Sequence, residues 1–146
     1  MKALYQKVRL ESAAAIFTVL LILFWLYAAG NQLADFNKFK GEMNSQVFTS
    51  SISRILTYLI PAIEITVASL LVFSSTRLWG VFLSFLLMLT FSTYTGLIWF
   101  NAFNRIPCTC AGLLGNGSTW GWNFTLNLFV TVVAAAGLIL NLKWKR

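Results

Sequence analysis

Four long runs of apolar residues, separated by shorter polar stretches, divide the sequence. The runs cover about residues 12–30, 54–73, 78–103 and 123–142. A helix needs about 20 apolar residues to cross the roughly 30 Å hydrocarbon core of a bilayer, and each run is near or above that length. The pattern predicts an all-α membrane protein, with residues 1–146 forming one domain built as an antiparallel bundle of four transmembrane helices.

The loops between these runs differ in length and in what they predict. Only Ser74, Ser75, Thr76 and Arg77 link the second and third runs, so those two helices must form an antiparallel hairpin.

The loop between the first and second runs is long enough to hold an element of its own. Within it, apolar residues recur at three- and four-residue steps, at Phe36, Phe39, Met43 and Val47. This spacing predicts a short amphipathic helix lying on the outer membrane surface. A polar loop with incidental aromatic residues is the alternative.

The composition excludes an ordinary soluble domain. Hydrophobic residues make up 58% of the chain and charged residues 10%, whereas about 25% of the residues in a soluble domain are charged. The net charge of +7 does not indicate a nucleic-acid partner, because the basic residues cluster at the chain ends. The sequence has no histidine, which removes the commonest metal ligand and general base. The bilayer is therefore the first predicted partner.

Basic residues also predict the orientation. An even number of spans puts both termini on one side. That side carries Lys2, Lys7, Arg9, Arg77, Lys143, Lys145 and Arg146. The opposite side carries Lys38, Lys40, Arg54 and Arg105. Since positive charge accumulates on the cytoplasmic side, we expect a multi-pass protein of a bacterial inner membrane with both termini in the cytoplasm.

The two cysteines of the chain, Cys108 and Cys110, lie in the predicted periplasmic turn between the last two spans. Direct pairing across one residue requires a bend at Thr109, and strained disulfides exchange easily. Pro107 restricts the backbone before the pair, and Arg105 is near enough to favour a thiolate. These features predict a dithiol that exchanges disulfides with a visiting protein.

Other interpretations of the two cysteines stay open. They could be inert small hydrophobic residues, or a loop staple, although a staple over three residues stabilises little. Two thiolates at this spacing could also hold Cu(I), whereas zinc would need further ligands. We predict no resident metal.

Four residues inside the spans are candidates for supporting roles. Glu64 lies deep in the second span, where a carboxyl group is costly and is therefore a functional candidate; we expect it to be protonated. Pro61, one turn earlier, leaves the Thr57 carbonyl without its helical donor. Tyr94 is expected at the depth of Glu64, close enough for a hydrogen bond, and Asn127 near the Thr57 carbonyl or under the cysteine turn. Helix–helix hydrogen bonding is the structural alternative for all of them.

Several segments resemble the MauE/DoxX type of membrane protein. The exit of the first span, with Gly30, Leu33, Asp35 and Phe39, is similar to the family pattern Gly-x-x-Leu-x-Asp-x-x-x-Phe. Further elements are Pro61-Ala-Ile-Glu64, Pro107-Cys-Thr-Cys-Ala-Gly112 and Asn127. Their order along most of the chain is more specific than any one of them. Two positions depart from the pattern: Gln32, where Lys or Arg is common, and Ala111, where Gly or Phe is usual.

The resemblance implies a four-helix membrane protein of about this length. It also implies either disulfide formation in a periplasmic partner, as in the methylamine-utilisation branch, or quinone-linked sulfur oxidation, as in the DoxX branch.

Together these observations predict a thiol–disulfide oxidoreductase of the inner membrane. Cys108 and Cys110 would exchange disulfides with a thioredoxin-like or substrate protein, and a quinone would be the candidate electron acceptor, by fold-level analogy. The alternative is a non-catalytic subunit that anchors or assembles a larger complex of the cell envelope.

Overall fold

The computed structural model describes residues 1–105, 107 and 119–145, apart from the side chains of residues 2, 3, 144 and 145. Within these ranges the chain forms five helices and no strand. They are α1 (Lys2–Ala34), α2 (Phe36–Asn44), α3 (Ser50–Val72), α4 (Arg77–Trp99) and α5 (Trp120–Lys145). By length and hydropathy α1, α3, α4 and α5 can each cross a membrane, which confirms the predicted all-α bundle of four spans.

The four long helices form a ring in which every neighbour is antiparallel. α1 packs against α3 and α5, and α4 packs against the same two helices from the opposite side. Close approaches fix these directions: Gly96 near the end of α4 lies against Phe124 near the start of α5, and Gly137 late in α5 lies against Phe17 in the first half of α1. The ring therefore has two distinct ends.

At one end, called the hairpin end, α3 turns directly into α4. The turn is closed by Thr76, whose backbone N–H donates to the Phe73 carbonyl (3.2 Å) and whose hydroxyl donates to the Leu70 carbonyl (2.9 Å). Gly80 then lies so close to α3 that a Cβ atom there would stand 2.9 Å from the backbone nitrogen of Leu71. The two helices are in backbone contact here.

The half of the bundle next to the hairpin end has an apolar core. Leu21 and Trp25 of α1 pack with buried residues of the other three helices, which are Val67, Ala68, Leu71, Val81, Met88, Val130 and Ala134. The indole Nε1 of Trp25 donates to the Ser84 hydroxyl (2.9 Å), so the one polar atom of this large side chain is satisfied across the bundle.

The opposite end, called the capped end, carries α2, the start of α3, residues 101–105 and Pro107. Asp35 caps α2 by accepting the backbone N–H of Lys38 (3.1 Å). The amphipathic helix predicted in this loop is confirmed. Its Phe39 and Met43 are buried against the bundle, however, so the expectation that they face a membrane surface is wrong. α2 packs on α3 and α1 and covers this end of the ring.

Candidate functional site

A cavity of about 1000 Å³ occupies the capped half of the bundle, between the apolar core and α2. All five helices contribute to its lining, which is mostly aliphatic and aromatic. Exposed side chains of Leu59 on α3 and Leu89 and Leu97 on α4 form part of that lining, so the cavity reaches the outer surface of the bundle between these two helices. α3 and α4 touch at the hairpin end and enclose space at the capped end.

The carboxyl-bearing side chain of Glu64, which is 2% exposed, is one of the buried polar groups in the lining. Its Oε1 accepts a hydrogen bond from Nε2 of Gln32 on α1 (3.1 Å). The second carboxyl oxygen, Oε2, and the amide oxygen of Gln32 are both buried and have no hydrogen-bond partner among the described residues. Within that part of the chain, each side chain of this cross-helix pair still has one unsatisfied oxygen.

Pro61 and Glu64 lie on the same face of α3. Buried positions recur along this helix at three- and four-residue steps, from Ser53 through Thr57, Pro61 and Glu64 to Val67. The helix is continuous through Pro61. The hydroxyl of Thr57 donates to the Ser53 carbonyl (2.7 Å). The inward face of α3 is thus polar in its first half and apolar in its second.

Tyr94 does not bind Glu64, and that expectation is wrong. Its hydroxyl donates to Oε1 of Gln46 (2.7 Å), and its ring stacks on Phe48 with centroids 5.3 Å apart. The reason is axial position. α3 starts earlier and α4 ends earlier than the apolar runs indicated, so at 1.5 Å per residue Glu64 lies about 21 Å from the start of α3, whereas Tyr94 lies about 8 Å from the end of α4.

Asn127 lines the same cavity, and its partner is not the Thr57 carbonyl; the alternative position under the cysteine turn lies outside the described residues. Its Nδ2 donates to the hydroxyl of Thr95 on α4 (3.4 Å). One turn further, the hydroxyls of Ser92 and Thr131 form a second α4–α5 hydrogen bond (2.9 Å). The Thr57 carbonyl is not its partner because α3 lies across the ring from α5, whereas α4 is adjacent.

The mouth of the cavity carries charged groups from α2. Glu42 and Lys38 both line it, with Oε1 of the carboxylate 3.9 Å from Nζ of the lysine. Burial raises the pKa of Glu42, and Lys38 offsets part of that rise. Lys38 and Glu42 thus form an ion pair at the rim of the cavity, and the lining further inside is largely apolar.

Both described residues next to the cysteine segment are anchored to the capped end. Nη2 of Arg105 donates to the backbone carbonyls of Gln46 (2.6 Å) and Ser45 (3.5 Å). The carbonyl of Pro107, a buried residue, accepts from Nε1 of Trp120 at the start of α5 (3.1 Å). Because Trp120 also lines the cavity, the residue before Cys108 is tied to the cavity wall.

Cys108 and Cys110, with the residues from Thr109 to Gly112, lie outside the described residues. The catalytic roles predicted for the two sulfur atoms therefore stay predictions. So do the supporting roles predicted for Pro61, Glu64, Tyr94, Arg105, Pro107 and Asn127.

The sequence reasoning did not predict the contacts of the two glutamines of the site, although it named Gln32 as a departure from the family pattern. Gln32 had a detectable signal, because the buried positions of α1 follow a regular spacing through Leu21, Trp25 and Ala28, and Gln32 is the next position on that stripe. Gln46 had none, since it lies in the loop between α2 and α3. It is 2% exposed and hydrogen-bonds there with Tyr94 and Arg105, which are distant in sequence.

The fold and the cavity define a class: a four-helix integral membrane protein whose capped half encloses a largely apolar cavity with a few polar side chains. Comparison with family models matches residues 10–140 to the family described as methylamine utilisation protein MauE. The chain belongs to the MauE family, as the resemblance indicated. Comparisons with curated proteins and with solved structures give no significant match.

Proposed function

We propose that the protein is a membrane thiol–disulfide oxidoreductase in which Cys108 and Cys110 exchange a disulfide with a protein outside the membrane. In this proposal the capped end faces the periplasm of a bacterial cell and both termini lie in the cytoplasm. The distribution of Lys and Arg supports that orientation. Disulfides form and persist in the periplasm, so the cysteines would meet the compartment that suits their chemistry.

The observation that carries the proposal is the hydrogen bond between Trp120 and Pro107. Cys108 follows Pro107 directly, and adjacent Cα atoms are about 3.8 Å apart across a trans peptide. The 3.1 Å bond ties Pro107 to Trp120, a residue of the cavity wall. A dithiol that follows a residue anchored to the cavity wall would be well situated to pass electrons between a protein partner and a molecule held in that cavity.

In the proposed exchange, Cys108 and Cys110 start as a disulfide. A partner thiolate attacks one sulfur atom of the Cys108–Cys110 disulfide, which forms a mixed disulfide and releases the other sulfur as a thiolate. A second partner thiol then attacks the partner's sulfur in the mixed disulfide and displaces the cysteine of this chain as a thiolate. The partner leaves as a disulfide, oxidised by two electrons, and Cys108 and Cys110 are left as a dithiol. Restoring the disulfide requires an acceptor for two electrons and two protons.

The cavity fits an acceptor of the quinone class. Its volume of about 1000 Å³, its aliphatic and aromatic lining and its reach to the bundle surface between α3 and α4 suit an apolar molecule entering from lipid. Gln32 and Asn127 would hold the head group by their amides, with Glu64 and Tyr94 as proton-handling groups. A bound quinone would supply the two-electron, two-proton acceptor.

The family supports the biological setting. The matching family is described as a methylamine utilisation protein, so we propose that the partner is a protein made for that process. The resemblance noted in the sequence links that branch to disulfide formation in a periplasmic partner, which agrees with the chemistry proposed for the cysteines.

The decisive experiment traps the intermediate. Cys108→Ser and Cys110→Ser variants are expressed in cells, and covalent adducts are separated without reductant and identified by mass spectrometry. We expect one variant to accumulate a mixed disulfide with its partner, which also identifies the sulfur that the partner attacks. The double variant is the control and should trap nothing. Absence of an adduct in both single variants, together with maleimide labelling of the wild type that reductant leaves unchanged, would disprove exchange.

A matched pair of tryptophan variants tests the link to the cavity. Trp120→Phe keeps an aromatic ring but removes the donor to Pro107, so adduct formation should slow while the bundle stays folded. Trp122→Phe is the control, because that side chain is 61% exposed and next to the same helix start. Equal rates of adduct formation in the two variants would show that the Trp120–Pro107 hydrogen bond does not matter.

The double cysteine variant also tests the rival function. If it still supports complex assembly and function, a non-catalytic anchoring subunit is the better description.

A further inference from the structure

A second cavity, of about 460 Å³, lies at the capped end and is lined by three cations from different parts of the chain. Lys40 comes from α2, Arg54 from α3 and Arg105 from the segment after α4. Neutral residues complete the lining, and these are Asn44, Phe48, Ser50, Thr57 and Tyr58. A small concave space surrounded by positive charge is a candidate anion site.

The chain has four acidic side chains, all within its described part, and none lines this cavity. Glu11 is exposed in the first half of α1, towards the hairpin end, and Asp35 caps α2. Glu42 lies beside Lys38, and Glu64 binds Gln32 inside the large cavity. The three cations therefore have no acidic side chain to neutralise them, so an anion from outside the chain would relieve their mutual repulsion.

The donors of this cavity suit an oxyanion. To the described residues, Arg105 donates through Nη2 to the two loop carbonyls, and a guanidinium has five N–H donors, which is more than these two contacts use. Ser50 is the first residue of α3, and Thr49 before it makes no side-chain cap. The amide groups that start a helix favour negative charge, and here they add to the three side-chain cations.

The position of the cavity near the end of a membrane span indicates which kind of oxyanion it binds. Arg54 is followed by Ile55, which is 63% exposed, and Tyr58 one turn later is 60% exposed. Exposed apolar and aromatic residues on a membrane span face lipid, and a tyrosine near the end of a span marks the level of the lipid head groups. This places Arg54, and the cavity that it lines with Lys40 and Arg105, near the level expected for phospholipid phosphates.

We infer that this cavity is a phosphate-binding site whose ordinary ligand is the headgroup phosphate of an anionic phospholipid. The inference does not depend on the cysteines or on the proposed redox role. A lipid bound here would contact α2, α3 and Arg105 together, so it would stabilise the packing of α2 on the capped end of the bundle.

The test uses the full chain, delipidated in detergent and titrated with phosphatidylglycerol or phosphatidylcholine, with binding followed by native mass spectrometry. The first phosphatidylglycerol should bind more tightly than phosphatidylcholine. A Lys40→Gln/Arg54→Gln variant should weaken that first binding step by about tenfold. The control, Lys7→Gln/Arg9→Gln, removes the same charge near the start of α1 and should change it less than about twofold. Both cations of the test variant are exposed, so folding should be retained, as circular dichroism checks.

A second arm separates the two sources of phosphate. Wild type and the Lys40→Gln/Arg54→Gln variant are placed in phosphatidylcholine nanodiscs and titrated with inorganic phosphate by calorimetry. Binding that the variant loses, without any preference for phosphatidylglycerol, would support the phosphate site with a free anion as its ligand. If the test and control variants lose the same affinity for phosphatidylglycerol, the effect is a general attraction between cations and anionic lipid, and the inference is overturned. It is also overturned if the Lys40→Gln/Arg54→Gln variant binds both phosphatidylglycerol and phosphate as tightly as the wild type does.

Discussion

The hydrogen bond between Gln32 and Glu64 makes the sharpest energetic prediction. Gln32→Leu removes the one donor that reaches Oε1 of a carboxyl group that is 2% exposed and whose Oε2 already lacks a partner. Stranding a buried acceptor costs about 1–3 kcal/mol. Glu64→Leu strands only the amide of a half-buried residue and replaces a polar group by an apolar one, so it should cost less. The double variant should be no less stable than Gln32→Leu alone.

A double-mutant cycle measures this asymmetry. Interhelical hydrogen bonds in membranes contribute about 0.6 kcal/mol on average and up to about 1.7 kcal/mol, so we expect a coupling energy in that range. Free energies of unfolding are obtained by sodium dodecyl sulfate titration in mixed micelles. Gln6→Leu and Glu11→Leu are matched controls at exposed positions of α1. Single-variant effects that add within about 0.3 kcal/mol would refute the pairing.

Three further predictions follow from contacts elsewhere in the bundle. Gly80→Ala should destabilise the protein by about 1–3 kcal/mol, because its Cβ would meet the α3 backbone at 2.9 Å, whereas Gly30→Ala meets nothing within 4 Å and should be neutral or stabilising in the same titration. Tyr94→Phe keeps the ring stacking but loses a 2.7 Å hydrogen bond, so hydrogen exchange in the loop between α2 and α3 should accelerate with a loss of about 1 kcal/mol. Burial raises the pKa of Glu42 above the usual 4.5, so its contribution to stability should be complete below that value and be lost as pH rises through the raised pKa. Glu42→Gln should abolish this component of the pH profile and Glu11→Gln should not.

The architecture was predictable because membrane crossing imposes a simple rule on sequence. Each span needs a long apolar run, and all four runs, the tight hairpin and α2 follow from run length and periodicity. The inward position of Glu64 was predictable too, since a carboxyl in a span avoids lipid. These features depend on properties of one segment at a time.

The side-chain partners were not predictable because they depend on relations between segments. Tyr94 and Glu64 are placed at different depths by helix ends that the apolar runs do not mark, since polar Ser50 and Ser51 are helical and apolar Phe103 is not. The partner of Asn127 depends on which helices are adjacent in the ring. Gln46 becomes buried through a loop that has no periodicity. Sequence periodicity carries none of this information.

Side-chain packing differs between the two halves of the bundle, and the proposed chemistry lies in the less tightly packed half. The apolar core around Trp25 and the backbone contact at Gly80 lie towards the hairpin end, whereas the capped half is held by separate hydrogen bonds around a cavity. Tight packing near the hairpin end contributes free energy of folding, and this contribution offsets the free energy lost because the other half contains a cavity. Arg105 and Pro107, the described residues next to the cysteines, are hydrogen-bonded to the hollow half. In the proposed function, a protein bound at the cysteines and a small molecule bound in the cavity would both act on these contacts, so each should change the affinity of the other by the same factor.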